Sequence, residues 1–246
     1  MQIDLYKLGL KGVFDVEQYC DAKDYNIEEV TSLDCSNNKL TGLKGLDKLV
    51  NLEELYCGNN KLTELDVSKL VNVWALYCDE NKLTELDVSK LVNLKRLHCH
   101  CNELTELKGL DKLVNLEVLW CSNNKLTELD VSKLVNVWAL YCDENKLTEL
   151  DVSKLVNLEW LYCHCNELTE LDLSNLVKLE VLQCDSNEIT EIKGLDKLVN
   201  LEWLNLEEYI HFKPEPEPEP EQDKLDLLTN RVEKLEQIIL ELTKGK

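Results

Sequence analysis

The chain repeats itself, and the repeat leaves few folds open. Cys35, Cys57, Cys78, Cys99, Cys121, Cys142, Cys163 and Cys184 recur every 21 or 22 residues. Aligned on these cysteines the sequence reads L-x-x-L-x-C-x-x-N-x-L. Copies start at Val30, Leu52, Val73, Leu94, Leu116, Val137, Leu158 and Leu179, and a ninth, degenerate copy starts at Leu201 with Leu206 in the cysteine slot. A period of this length marks a solenoid, in which one short unit cannot bury its apolar face until neighbours stack on it. The cysteine spacing is thus a repeat register and argues against a disulfide framework.

The motif translates directly into geometry. Side chains alternate along a strand, so motif positions 4 and 6 (Leu76 and Cys78, for example) point to one side and form the core. Strands of successive turns are expected to pair in parallel about 4.8 Å apart, so that nine turns extend roughly 40 Å. The thiols then form a column of small, weakly polar core residues. Position 9 is Asn in eight copies (Asn38, Asn60, Asn81, Asn102, Asn124, Asn145, Asn166 and Asn187), where an amide can satisfy backbone groups as the chain leaves the strand. The return arm reads LTELDVSKLVN or LTELKGLDKLVN, and its Leu65, Val67 and Leu70 are expected to close the core in a short helical or 3-10 turn.

This pattern resembles the leucine-rich-repeat family over residues 30 to about 206. Its 21-residue period and cysteine in a leucine slot are similar to bacterial repeats of the internalin J and BspA-like kind. The resemblance implies an α/β leucine-rich-repeat solenoid with a parallel sheet on the concave face and short helical, 3-10 or irregular convex arms. Residues 1–29 are expected to cap one end, with Phe14, Val16, Tyr19 and Cys20 at helix-like spacing, and the solenoid with its C-terminal cap EEYIHF is expected to fill 30–212.

The C-terminal segment is organised differently. In residues 213–222 proline at alternate positions forbids helix and predicts an extended Pro-Glu spacer. Residues 223–246 carry three heptads, with Leu225, Val232 and Ile239 at position a and Leu228, Leu235 and Leu242 at position d. A lone helix this short is marginal, so the pattern predicts an oligomerising coiled coil. The β-branched a positions favour two strands. Arg231 at g with Val232, Leu235 and Glu236 resembles a short trimerisation motif, and a trimer is preferred over a dimer.

The copies differ mainly at positions 2, 3, 5, 7 and 8, of which 3, 5 and 7 face away from the core. The candidate ligand-binding residues are there: Tyr56, Tyr77, Asp79, Arg96, His98, His100, Trp120, Tyr141, Asp143, Trp160, Tyr162, His164, Gln183 and Trp203. All five tryptophans, including Trp74 and Trp138 on the expected rim, fall at variable positions, and such rings dominate binding hot spots. Acidic groups such as Glu54, Asp79, Glu80, Asp143, Glu144, Glu159 and Asp185 surround them, which suits a ligand carrying Lys or Arg. A protein, a peptide or a glycan fits this face. The net charge of −21 disfavours nucleic acid and anionic membrane surfaces.

Residues 98–101 read HCHC, and 64 residues later the chain has YCHC. With the core cysteines set aside, His98, His100, Cys101, His164 and Cys165 are the metal-ligand candidates, with Asp79, Glu80, Asp143 and Glu144 on the preceding turns. No C-x₂-C or H-x₃-H pairing is present, and the preferred reading assigns neither metal nor cofactor. No phosphate loop, nucleophile elbow or triad order occurs, so the chain is expected to be a non-enzymatic recognition protein. The alternatives are a consensus-like scaffold, structural or engineered, without natural ligand, and a metal-binding repeat protein. The start MQIDLYKLGLKGVFD lacks the features of a signal peptide, and no apolar run reaches membrane-span length. With unpaired thiols, the expected location is the cytoplasm, or delivery by a non-classical route.

Overall fold

A computed structural model describes residues 1–206. The remaining C-terminal cap, the Pro-Glu spacer and the coiled-coil helix lie outside the described residues. Each of the nine motif copies contributes a three-residue strand at positions 3–5, from Ser32–Asp34 to Trp203–Asn205, and all pair in parallel with their sequence neighbours. The register is uniform: Leu55 lies opposite Leu76, Leu76 opposite Leu97, and Leu97 opposite Leu119. Three residues are too few for a strand to persist alone. The stack supplies its backbone partners.

The sheet has ten strands, one more than the motif predicts. Gln2–Asp4, in the segment expected only to cap the end, pairs with Ser32–Asp34, placing Ile3 opposite Leu33. Leu5 follows in the cysteine slot: its N–H donates to Asp34 O at 2.7 Å, and its carbonyl accepts from Asn38 Nδ2 at 2.9 Å. The first ten residues are therefore a repeat without its Cys and Asn, which the motif search cannot see. The helix follows at Val16–Lys23, starting at Asp15, whose side chain accepts from Gln18 N. It buries Val16 and Cys20 over the open end of the core. Phe14 belongs to the preceding strand Lys11–Asp15, so the helix-like spacing holds only from Val16 onward.

Leucines at positions 1, 4 and 11 and the eight motif cysteines form one continuous buried core. The position-9 asparagines stitch the turns together as expected. Asn60 Nδ2 donates to Cys57 O of its own turn at 3.1 Å and to Cys35 O of the previous turn at 3.0 Å, while its Oδ1 accepts from Leu40 N at 2.9 Å. The same arrangement recurs at Asn81, Asn102, Asn124, Asn145, Asn166 and Asn187. A second asparagine column, unforeseen in the framework LVN, lines the other edge of the sheet. Asn72, Asn93, Asn115, Asn136 and Asn157 each donate to the carbonyl of the exposed valine one turn back.

The two arm sequences close differently. In KGLDK the glycine adopts a left-handed conformation (φ 77° at Gly45, 85° at Gly109, 74° at Gly194) and opens the 3-10 turns Leu46–Lys48, Leu110–Lys112 and Leu195–Lys197. At Gly109 a Cβ would stand 2.4 Å from Ser89 Cα, so this arm admits glycine alone. The DVSK arms are not 3-10 helices. Their aspartate accepts from the serine N–H two residues on (2.9 Å from Asp66 to Ser68), a local turn that replaces the glycine. Val67 and Leu70 are buried beneath it and Leu65 is partly buried.

Candidate functional site

The concave face is built from motif positions that the core does not use. Position 5 places one side chain from each strand in a single file. Six consecutive turns carry rings there, and each touches the next. Centroid separations are 4.8 Å for Tyr56–Tyr77, 4.3 Å for Tyr77–His98, 5.3 Å for His98–Trp120, 5.2 Å for Trp120–Tyr141 and 4.8 Å for Tyr141–Tyr162. The strand spacing dictates this: rings at one register position on parallel strands lie within stacking distance. All six are half-buried. Gln183 and Asn205 continue the file without rings.

Position 3 alternates in size. Ala75 and Ala139 are fully buried and Val118 nearly so, while Arg96 is exposed, Trp160 half-buried and Trp203 51% exposed. Ala139 pairs with Trp160 in the ladder, and the indole of Trp160 is met edge-on by Trp138 at 5.3 Å. Trp138, placed on the rim by its motif position, thus extends the aromatic surface. Along the same rim a groove runs past Glu29, Glu53, Trp74, Lys95 and Glu117 and the second asparagine column. Lys95 and Glu117 form an ion pair across it at 3.1 Å. Its side chains come from variable position 2 (Glu53, Trp74, Lys95 and Glu117), and its other signal is the LVN asparagine, replaced by Lys178 in one arm.

Position 7 forms the opposite flank: Ser36, Gly58, Asp79, His100, Ser122, Asp143, His164 and Asp185. Here the structure brings together side chains from adjacent turns. His100 stacks on Trp120 at 4.1 Å and 15°. Asp143 accepts from Ser122 Oγ at 2.6 Å and lies 3.7 Å from His164 Nε2. Burial pushes the Asp79 carboxyl up, an effect the neighbouring His100 opposes. Burial likewise lowers the basicity of His100, against the pull of Asp79, Glu80 and Asp143. His98 is held down to about 4 by burial first, and further by the neighbouring His100 and Arg96. Burial also raises the Tyr56 and Tyr141 phenols, keeping them neutral donors.

Of the metal-ligand candidates, His100 groups with Asp79 and Glu80, and His164 with Asp143 and Glu144; in each group the ligand atoms lie within 4.8 Å of one another. His98, Cys101 and Cys165 fall outside both groups. Position 8, which holds Glu80, Cys101, Glu144 and Cys165, is left-handed in every one of the first eight copies, with φ between 49° and 56°. The motif cysteines are buried and unpaired, and desolvation raises their thiols, that of Cys35 to about 12. No helix among the described residues is long and apolar enough to cross a membrane.

Short return arms, a parallel sheet of one strand per turn and an asparagine column together define a leucine-rich-repeat solenoid. The chain belongs to that family: its model, Leucine Rich repeats (2 copies), matches residues 28–70, 92–136 and 156–197, together more than half of the chain. Among solved structures the chain is similar to the functional domain of InlJ from Listeria monocytogenes, which includes a cysteine ladder (33% identity, TM-score 0.63, 81% of this chain and 47% of that one). The chain thus spans about half the length of that domain. It also resembles a leucine-rich-repeat protein of Leptospira interrogans (24% identity, TM-score 0.72, 86% and 68%). A third likeness is to the ectodomain of the receptor kinase GASSHO1/SCHENGEN3 from Arabidopsis thaliana, in complex with Casparian strip integrity factor 2 (23% identity, TM-score 0.61, 77% and 27%). The last two show the fold alone. No curated protein matches the chain. Leucine-rich-repeat domains commonly serve protein–protein recognition.

Proposed function

We propose that the protein is a non-enzymatic recognition module whose concave face binds a protein segment or peptide bearing Lys or Arg. One observation carries this reading. The six-ring file from Tyr56 to Tyr162 is an open, continuous aromatic strip, bordered by Asp79, Asp143 and Asp185 on one side and by Glu53, Glu117 and Glu159 on the other. Core packing does not require these rings, because the leucine and cysteine columns already fill the interior. Rings offer large contact area at low entropic cost and attract cations over their faces, and flanking carboxylates supply charge-assisted hydrogen bonds. Arg96, Gln183 and Trp203 complete the surface as direction-setting contacts.

The heptads of residues 223–246 support assembly of several copies, preferably three, on the Pro-Glu spacer, so that weak single-site binding gains avidity. The unpaired thiols suit a reducing compartment such as the cytoplasm. The test uses the face's own reporters, since every tryptophan of the chain lies on it or its rim. Peptides selected from a random display library on the full chain should be rich in Lys and Arg and should change the tryptophan emission on titration. Selection of neutral or acidic peptides, or of glycans alone on an array, would contradict the reading.

A further inference from the structure

We propose that the concave face carries two divalent transition-metal sites suited to Zn²⁺, one built by Asp79, Glu80 and His100 and the other by Asp143, Glu144 and His164. Each site takes positions 7 and 8 of one turn and position 7 of the next. Backbone pairing brings the two turns together, with Glu80 N donating to His100 O at 2.9 Å and Glu144 N to His164 O at 3.0 Å. Within each set the ligand atoms already lie inside 4.8 Å of one another. Zinc bonds of about 2.0–2.2 Å to imidazole nitrogen and carboxylate oxygen require a somewhat tighter set, which small side-chain rotations supply. Two carboxylates neutralise a dication, and the N,O donor set suits Zn²⁺ better than the all-oxygen shells of Ca²⁺ or Mg²⁺; with zinc bound, Asp185, Glu53, Glu117 and Glu159 remain as the acidic border of the ring file.

Three further features point to a ligand there. The Nδ1 atoms of His100 and His164 are buried with no hydrogen-bond partner among the described residues, and His164 turns Nε2 to Asp143 Oδ2 only at 3.7 Å, so the protein leaves these rings incompletely satisfied. Buried polar atoms normally find partners, and such orphans call for an explanation. The left-handed position 8 is filled by Asn37, Asn59 and Asn123 in other copies, the residue type that tolerates this backbone best, yet by glutamate only in the two turns that precede a histidine. The His100 ring is also held in place by its stack on Trp120. Three protein ligands leave one tetrahedral position for water or for a donor atom of a partner.

Calorimetric titration of the tag-free, chelator-treated full chain with Zn²⁺ should give two equivalents per chain. His100→Gln should leave one, and His100→Gln with His164→Gln none. X-ray absorption of the zinc-loaded unsubstituted chain should show one imidazole and oxygen donors per ion, a readout that does not depend on the variants folding. No saturable binding, a stoichiometry unchanged by the substitutions, or a sulfur-rich shell placing the ion on cysteines would overturn the proposal.

Discussion

The imidazole of His100 lies flat on the indole of Trp120, with centroids 4.1 Å apart and planes 15° from parallel. Trp120 also meets His98 and Tyr141, so it links the position-5 file to the position-7 flank. Trp120→Ala should therefore cost about 1.5–3 kcal/mol, part lost area and part lost ring pairs, each worth ~0.5–1.5 kcal/mol. Trp120→Phe should recover most of it. Urea unfolding of both variants checks this, and equal losses would deny the ring contacts a role.

The two asparagine columns should differ sharply in weight. Asn102 is buried and serves Leu83 N, Cys78 O and Cys99 O, so Asn102→Ala strands Leu83 N and takes one of two asparagine donors from each carbonyl, which keep Asn81 and Asn124. A loss of about 2–3 kcal/mol is expected. Asn93 bonds only Val71 O at the solvent edge, and Asn93→Ala should cost under about 1 kcal/mol. Comparable midpoints for the two variants would contradict this ranking.

Glycine is required at Gly109 but not at Gly58. Alanine at Gly109 meets Ser89 backbone at 2.4 Å with φ 85°, and a destabilisation above ~2 kcal/mol is expected. At Gly58 the added methyl meets only the Asp79 carboxylate, at 2.8 Å, a side chain that can turn aside. Thermal melts should separate the two variants clearly.

Acid and alkali should both weaken the fold, through identifiable groups. Burial raises the motif thiols above their ordinary range, so their stabilisation is complete below the unfolded thiol pKa and fades as pH rises past it. Each such thiol contributes a slope of up to about 1.4 kcal/mol per pH unit there, and cooperative unfolding above roughly pH 9 is expected. His98 is depressed to about 4, so its contribution is present above its unfolded pKa and lost as pH falls towards 4. His98→Tyr, which installs the residue found at Tyr77 and Tyr141, should keep the ring file and flatten the acid limb of a stability-versus-pH profile. An unaltered limb would assign the acid sensitivity elsewhere.

Much of this arrangement can be read in the repeat itself. Leu76 and Cys78 announce the inward face, Asn81 the backbone bridge, and Tyr77 the file on the opposite face, because strand alternation and parallel stacking leave little freedom. What escapes a motif is what depends on the ends and on neighbours. Gln2–Asp4 pairs as a strand, with Leu5 in the cysteine slot, yet this turn carries neither the cysteine nor the asparagine by which the motif is recognised. Trp138 joins the face because Ala139 beside it is small and Trp160 on the next turn reaches across. The grouping of His100 with Asp79 and Glu80 follows from register, whereas the left-handed backbone at position 8, shared by Glu80 and Cys101, is a feature a repeat alignment does not display.

The central claim is that the ring file binds. The direct measurement is the affinity of a display-selected Lys/Arg peptide for the full chain and for the triple variant Trp120→Ala, Tyr141→Ala and Trp160→Ala, with circular dichroism confirming the solenoid in both. Removing three hot-spot rings, each worth at least ~1–2 kcal/mol, should weaken binding by about a hundredfold or more. Unchanged affinity in a folded triple variant would place recognition away from the concave aromatic face.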